Sequence, residues 1–219
     1  HQLATTVEDG TLRVNGQIIS STTTVQPGGT LDGSGSVAGL KNTGGVVAPG
    51  SGVGTLTVTE NYAQDSTGVL RVQLAGTSAG AFDRLQVDGT ATLGGKGEVE
   101  LVDGFSPAID DSFVILTAGS IVGQFDPPPA PWSLQYEPSA VRLVIVPVAA
   151  DFDVDGDVDD DDVEAFNACR TRDKVPHDGS PECELADLDG DGDVDLDDFG
   201  FVQRCYAGPD VLPAPGCDG

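Results

Sequence analysis

The chain has 219 residues, enough for one or two domains, and a formal net charge of −26. Residues 1–150 carry 14 acidic and 6 basic side chains, whereas residues 151–219 carry 22 and 4. So acidic a surface repels nucleic acid and anionic membranes and attracts cations, and no apolar run is long enough for a transmembrane segment.

The chain starts at His1 without an initiator methionine or an apolar leader, which fits a secreted form with its signal peptide removed. The first 150 residues hold 22 glycines, no cysteine and little helix-forming sequence. Alternating segments recur at Thr11–Val14, Gly54–Thr59, Val69–Leu74, Arg84–Val87, Gly97–Val102 and Phe113–Leu116. Turn residues separate them, at Pro27-Gly28-Gly29, Pro49-Gly50, Asp88-Gly89 and Gly94-Gly95. Period-two alternation between such turns predicts strands with one buried face. Small residues at close spacing favour stacked rungs over a sandwich. Leu56, Val58, Leu70, Val72, Leu74, Leu85, Val87, Leu93, Val99 and Leu101 are the expected core. Apolar runs at 112–125 and 139–148 close this part, with a proline-rich excursion between them. Trp132 and Tyr136 are expected to cover the end of the coil rather than to form a sugar platform.

The run from Gly29-Thr30-Leu31 through Gly45-Val46-Val47-Ala48-Pro49-Gly50 to Leu56-Thr57-Val58, with Asp83–Gly95, resembles the autotransporter-associated β-strand repeat. That resemblance spans roughly residues 25–125 and implies a right-handed parallel β-helix with a stalk or scaffold role. The fold class expected is mainly β, a solenoid over 1–150, followed by a small α-helical domain over 151–219.

Catalytic constellations are sparse. A copper site at His1 needs a second histidine, and His177 lies in the other part of the chain. Asp110 and Asp111 read as turn residues. Gly76-Thr77-Ser78-Ala79-Gly80 matches a nucleophile elbow in letters, but no helix pattern follows it. We expect a small-residue turn there, and no enzyme.

The tail is informative. Asp151, Asp153, Asp155, Asp157, Asp159 and Asp162 recur 36 residues later as Asp187, Asp189, Asp191, Asp193, Asp195 and Asp198. Calcium is a hard cation that takes six to eight oxygens, and a twelve-residue loop delivers them from alternate positions. Positions 1, 3, 5, 9 and 12 offer carboxylates, position 9 directly or through water. Position 7 offers the carbonyls of Asp157 and Asp193. Gly156 and Gly192 at position 6 make the sharp turn. Val158 and Val194 at position 8 are expected to point inward and bridge the two loops. Two calcium ions are expected, one per loop.

Each loop should lead into a helix, Asp162–Arg170 and Asp198–Tyr206, with Val163, Phe166, Cys169, Phe199, Val202 and Cys205 on apolar faces. No helix is expected before either loop. This duplicated unit, over 151–206, resembles the type I dockerin module and is EF-hand-like in its loops. The resemblance implies a small calcium-dependent domain that docks to a cohesin-like partner. Where that family carries its recognition pairs, this chain has Asp160-Asp161 and Leu196-Asp197.

Four cysteines, all in the tail, suggest disulfides and an oxidising compartment. Local pairing, Cys169 with Cys183 and Cys205 with Cys217, would pin each return segment to the helix it follows. The rival pairing joins Cys169 to Cys205. These features favour an extracellular or cell-surface structural subunit, a homo-oligomer or polymer in a layer, stalk or fibre. The alternative is an attachment module for a cohesin-like or cell-wall partner.

Overall fold

The computed structural model describes residues 4–19, 21–108, 111–129, 131–146, 148–153, 155–209, 211, 213 and 217. His1 and Asp110 lie outside the described residues. The chain divides into two compact units: His1–Pro128 with Ser133–Ile145, and Pro129–Trp132 with Val146–Gly219.

The first unit is a solenoid of three-strand rungs. Thr5–Val7 (β1), Gly10–Arg13 (β2) and Gln17–Ile18 (β3) make the first rung. Thr23–Val25 (β4), Gly29–Gly33 (β5) and Ser36–Val37 (β6) make the second. Leu40–Asn42 (β7), Val46–Pro49 (β8) and Thr55–Val58 (β9) follow, then Tyr62–Gln64 (β10), Val69–Leu74 (β11) and Arg84–Val87 (β12). The fifth rung is Thr90–Leu93 (β13), Lys96–Leu101 (β14) and Ser112–Thr117 (β15). Ser120–Gly123 (β16) starts another turn before Trp132–Glu137 (β17) and Ala140–Ile145 (β18).

Every third strand joins the same sheet except β17, which adds to the third beyond β18, giving the orders β1-β4-β7-β10-β13-β16, β2-β5-β8-β11-β14 and β3-β6-β9-β12-β15-β18-β17. Pairing between rungs is parallel until β18, which runs antiparallel to β15. This reversal ends the coiling of the third sheet. The register also shows the rungs lengthening. Thr5 pairs with Thr23 and Thr23 with Leu40, but Tyr62 pairs with Ala91 and Ala91 with Ile121.

Stacked rungs place like residues in columns. Leu56, Leu85 and Leu116 form one, and Val37, Val58 and Val87 another, all essentially shielded from solvent. Burying each leucine contributes about 1.5–3 kcal/mol relative to leaving it exposed. Two expected core residues depart from this pattern. Leu101 is 48% exposed and Val99 is half-buried, because both lie in β14, the terminal strand of its sheet.

The interior also holds a polar column that the sequence reading did not identify. Asn42 and Gln64 face inward in adjacent rungs, and Asn42 Nδ2 donates to Gln64 Oε1 at 3.3 Å. Tyr62 Oη donates to the same oxygen at 2.6 Å. Gln64 Nε2 in turn reaches the carbonyls of Gly68, Gly94 and Lys96 at 3.1, 2.7 and 3.1 Å. The chain turns between sheets here; the Gly68 carbonyl also accepts the Lys96 N–H at 3.0 Å, and the Gln64 amide adds its bonds to these buried backbone acceptors.

Ser78 is exposed in the turn after β11, where the Ala81 N–H donates to the Ser78 carbonyl at 2.9 Å. No helix follows it; the chain enters β12 instead. Tyr136 Oη accepts the Phe125 N–H at 2.9 Å, so this ring anchors the closing part of the solenoid unit.

The second unit contains Asp160–Cys169 (α1), Pro181–Ala186 (α2) and Leu196–Cys205 (α3). Its core gathers Val158, Phe166, Val194 and Val202, each fully buried, with Phe152 and Phe199 packed against it. Phe166 lies 5.4 Å from Phe199 between ring centroids. The disulfides are Cys169–Cys183 and Cys205–Cys217, with Cα separations of 5.1 and 5.0 Å. This is the local pairing.

Two helix expectations need correction. Helix α2 does precede the second loop: Pro181 occupies its first turn, where a missing N–H costs nothing, and Ser180 caps it. Helices α1 and α3 begin two residues earlier than expected, because Asp159 and Asp195 act as N-caps.

Candidate metal centre

Both acidic loops are built around a capping box. The side chain of Asp159 accepts the Asp161 N–H, while Asp162 Oδ2 accepts the Asp159 N–H at 2.8 Å. Asp195 and Asp198 repeat this arrangement, again at 2.8 Å. Position 9 thus starts the helix, and position 12 is its third residue, directed back at the loop. The local sequence dictates this placement, since Asp is a strong N-cap and its carboxylate favours the positive end of a helix.

The turn at position 6 has φ of 101° at Gly156 and 95° at Gly192, a region that side chains resist. Its amides close the ring. Gly156 N–H donates to Asp151 Oδ2 at 3.2 Å, and Gly192 N–H to Asp187 Oδ2 at 2.9 Å. Phe152 and Leu188 amides donate to Asp162 and Asp198 at 2.6 and 2.7 Å.

Positions 1, 3 and 12 converge in both loops. Asp151, Asp153 and Asp162 present ligand atoms within 4.8 Å of one another, as do Asp187, Asp189 and Asp198. Asp162 is 0% and Asp198 1% exposed. Asp157 and Asp159 converge on Asp162 in a second group within the first loop. Asp193 and Asp195 of the second loop instead meet Asp173. Position 5 joins none of these groups: Asp155 and Asp191 accept the Asp157 and Asp193 amides, both at 3.1 Å.

Gathering carboxylates is electrostatically costly. Burial pushes the Asp162 carboxyl above its ordinary range despite its backbone hydrogen bonds. Burial and then the charges of Asp155 and Asp162 raise Asp153. Partial desolvation by the loop likewise raises the exposed Asp189, with the charges of Asp198, Asp191 and Asp187 adding to it. Such sites favour a proton or a cation. The donors are oxygens, so the residues present fit a hard divalent metal ion better than a soft one.

Position 8 corrects another expectation. Val158 and Val194 do point inward, but their backbones do not pair with each other. The Val158 carbonyl accepts the Ala207 N–H at 2.9 Å, and the Val194 carbonyl accepts the Thr171 N–H at 2.7 Å. Each loop is therefore tied to the segment leaving the other repeat's helix.

Sequence reasoning missed the segment between α1 and α2, which wraps the second loop. Its contributions are Thr171, the Lys174 amide on Asp193 Oδ2 at 2.5 Å, and the His177 amide on the Gly192 carbonyl at 3.2 Å. His177 Nε2 also lies 3.8 Å from Asp187 Oδ2. The signal available was the Cys169–Cys183 spacing, which marks a closed segment.

The fold and the acidic loops define a solenoid scaffold joined to a small disulfide-bonded helical module able to hold metal ions. No protein-family model matches the chain, and no curated protein matches it.

Proposed function

We propose that this chain is a non-catalytic extracellular structural subunit whose helical module is stabilised by two calcium ions, one in each acidic loop. The observation that supports the structural reading is that, among the described residues, each sheet ends in a terminal strand. Strands β1, β2 and β3 are terminal in their sheets at one end, and β14 and β16 at the other. A terminal strand can offer donors and acceptors to a neighbour, and head-to-tail addition of a second copy would pair them without closing a ring. Two disulfides support an oxidising, extracellular setting. Calcium is favoured over magnesium because irregular, carboxylate-rich loops suit its variable coordination.

An attachment role of the dockerin type is a second reading. It draws on an apolar groove lined by Val163, Phe199, Val202 and Tyr206, and on Leu196, which is 73% exposed. Electron microscopy and sedimentation of the purified protein, with and without calcium, separate the two. Ordered fibres that disappear on deleting residues 1–10 support the structural subunit. A strictly monomeric protein at high concentration with calcium defeats it.

A further inference from the structure

Asp173, Asp193 and Asp195 each place one carboxylate oxygen within 4.8 Å of the others, and the group shares no residue with Asp187, Asp189 and Asp198. Its centre is a buried anion. Asp193 is 3% exposed; its Oδ2 accepts the Lys174 amide at 2.5 Å, but its Oδ1 is buried without a hydrogen-bond partner. An unsatisfied carboxylate oxygen shielded from water is unfavourable, and no described residue supplies a donor to relieve it. Among the described residues no ammonium or guanidinium pairs with Asp193 or Asp195; the nearby Lys174 Nζ pairs with Asp173 at 3.2 Å. Both partners of that pair are largely exposed, at 85% and 72%, so a multivalent ion displaces the ammonium at little cost.

We propose that Asp173, Asp193 and Asp195 form a third site for a hard divalent cation, calcium by its all-oxygen donors, which takes the Asp195 carboxylate expected at position 9 of the second loop and leaves that loop's own ion to Asp187, Asp189 and Asp198. Asp195 keeps its N-cap bond to Asp197 through Oδ1. Asp173 comes from the segment that the Cys169–Cys183 disulfide closes, so this site exists where that segment meets the second loop. The first loop has a different arrangement, since its group of Asp157, Asp159 and Asp162 draws on no residue outside the loop. The module would therefore be asymmetric in metal content even though its sequence is duplicated.

The inference deepens the calcium reading of the module, and stoichiometry keeps the two apart. Equilibrium dialysis against radioactive calcium, up to millimolar concentrations, measures ions per full chain for wild type, Asp173→Asn and Asp151→Asn. Circular dichroism verifies that the variants are folded, which is expected for Asp173 because its side chain is exposed. Three ions in wild type and two in each variant are expected. Equal stoichiometry in wild type and Asp173→Asn overturns the third site, whatever the total. Loss of an ion from Asp151→Asn alone leaves the loop reading standing without it. A one-ion loss from Asp173→Asn alone keeps the third site and removes the first loop from the calcium reading.

Discussion

Thr171 and Val194 hold each other twice: the Thr171 amide donates to the Val194 carbonyl at 2.7 Å, and the Val194 amide donates to Thr171 Oγ1 at 3.0 Å. Thr171 follows the first repeat's helix, whereas Val194 lies in the second repeat's loop. Ala207 and Val158 make the reciprocal connection. The two loops are therefore coupled through the chain segments that leave each other's helices.

This crossing sets the expected response to calcium. Chelation should unfold the helical module while leaving the strand signal of the solenoid, read by far-ultraviolet circular dichroism. Calcium at 100 times its dissociation constant should stabilise the module by about 2.7 kcal/mol per site. Asp151→Asn should weaken the first loop most and the second loop measurably, because loss of order at Val158 releases Ala207. A calcium titration showing wholly independent loops would contradict the coupling.

The Cys169–Cys183 disulfide should matter more to the second loop than to the first. It closes the segment bearing Thr171, Lys174 and His177, all of which meet that loop. Replacing both cysteines by serine should cost roughly 3 kcal/mol by chain entropy, reduced by any residual order. Calcium titration of the double variant should show the larger affinity loss in the second loop. Equal losses would mean that the segment is a tether without a role in the site.

The parts of this fold that repeat were legible, and the parts that depend on exchange between repeats were not. Asp151–Asp162 and Asp187–Asp198 announce themselves because metal loops demand fixed residue types at fixed spacing. Strands such as β11 and β12 have enough alternating residues to be read alone, and the observed spans match. Strands as short as β3 and β6 hold two residues each, too few for any period. Asn42 and Gln64 look like surface residues until the register stacks them beneath Val7 and Val25. Helix α2 is not legible in the sequence because a proline that starts a helix, as Pro181 does, and one that forbids it differ only in what precedes them.

The Asn42–Gln64 column predicts a large cost for a conservative-looking change. Gln64→Leu removes the partner of Tyr62 Oη and the amide bonds to the carbonyls of Gly68, Gly94 and Lys96, of which Gly68 keeps the Lys96 N–H at 3.0 Å. Leaving each buried polar group unsatisfied costs on the order of 1–3 kcal/mol, with some relief from relaxation. Denaturant unfolding should place the variant several kcal/mol below wild type. Gln64→Glu should also destabilise the solenoid at neutral pH, since the carboxylate cannot donate to three carbonyls.

Asp83 predicts how the solenoid responds to acid. It is 1% exposed and ties the residue before β9 to β11, accepting the Gly54 amide on Oδ1 at 2.7 Å and the Gln73 amide on Oδ2 at 2.9 Å. Burial pushes its carboxyl up to about 7 from an ordinary 3.8, outweighing those two bonds, with Glu100 adding to the rise. Between those values the folded chain holds a proton that the unfolded chain has released. Protonation therefore favours folding: the Asp83 contribution improves as pH falls from about 7 towards 3.8 and is at its least favourable above 7. Most buried, salt-bridged aspartates behave in the opposite sense. Thermal or denaturant unfolding of the solenoid, followed by its β signal at constant low calcium, should show this gain on mild acidification. Asp83→Asn cannot titrate, so its stability should lack that component, even though its amide satisfies one of the two backbone donors less well. An unchanged pH profile in Asp83→Asn would show that another group carries the dependence.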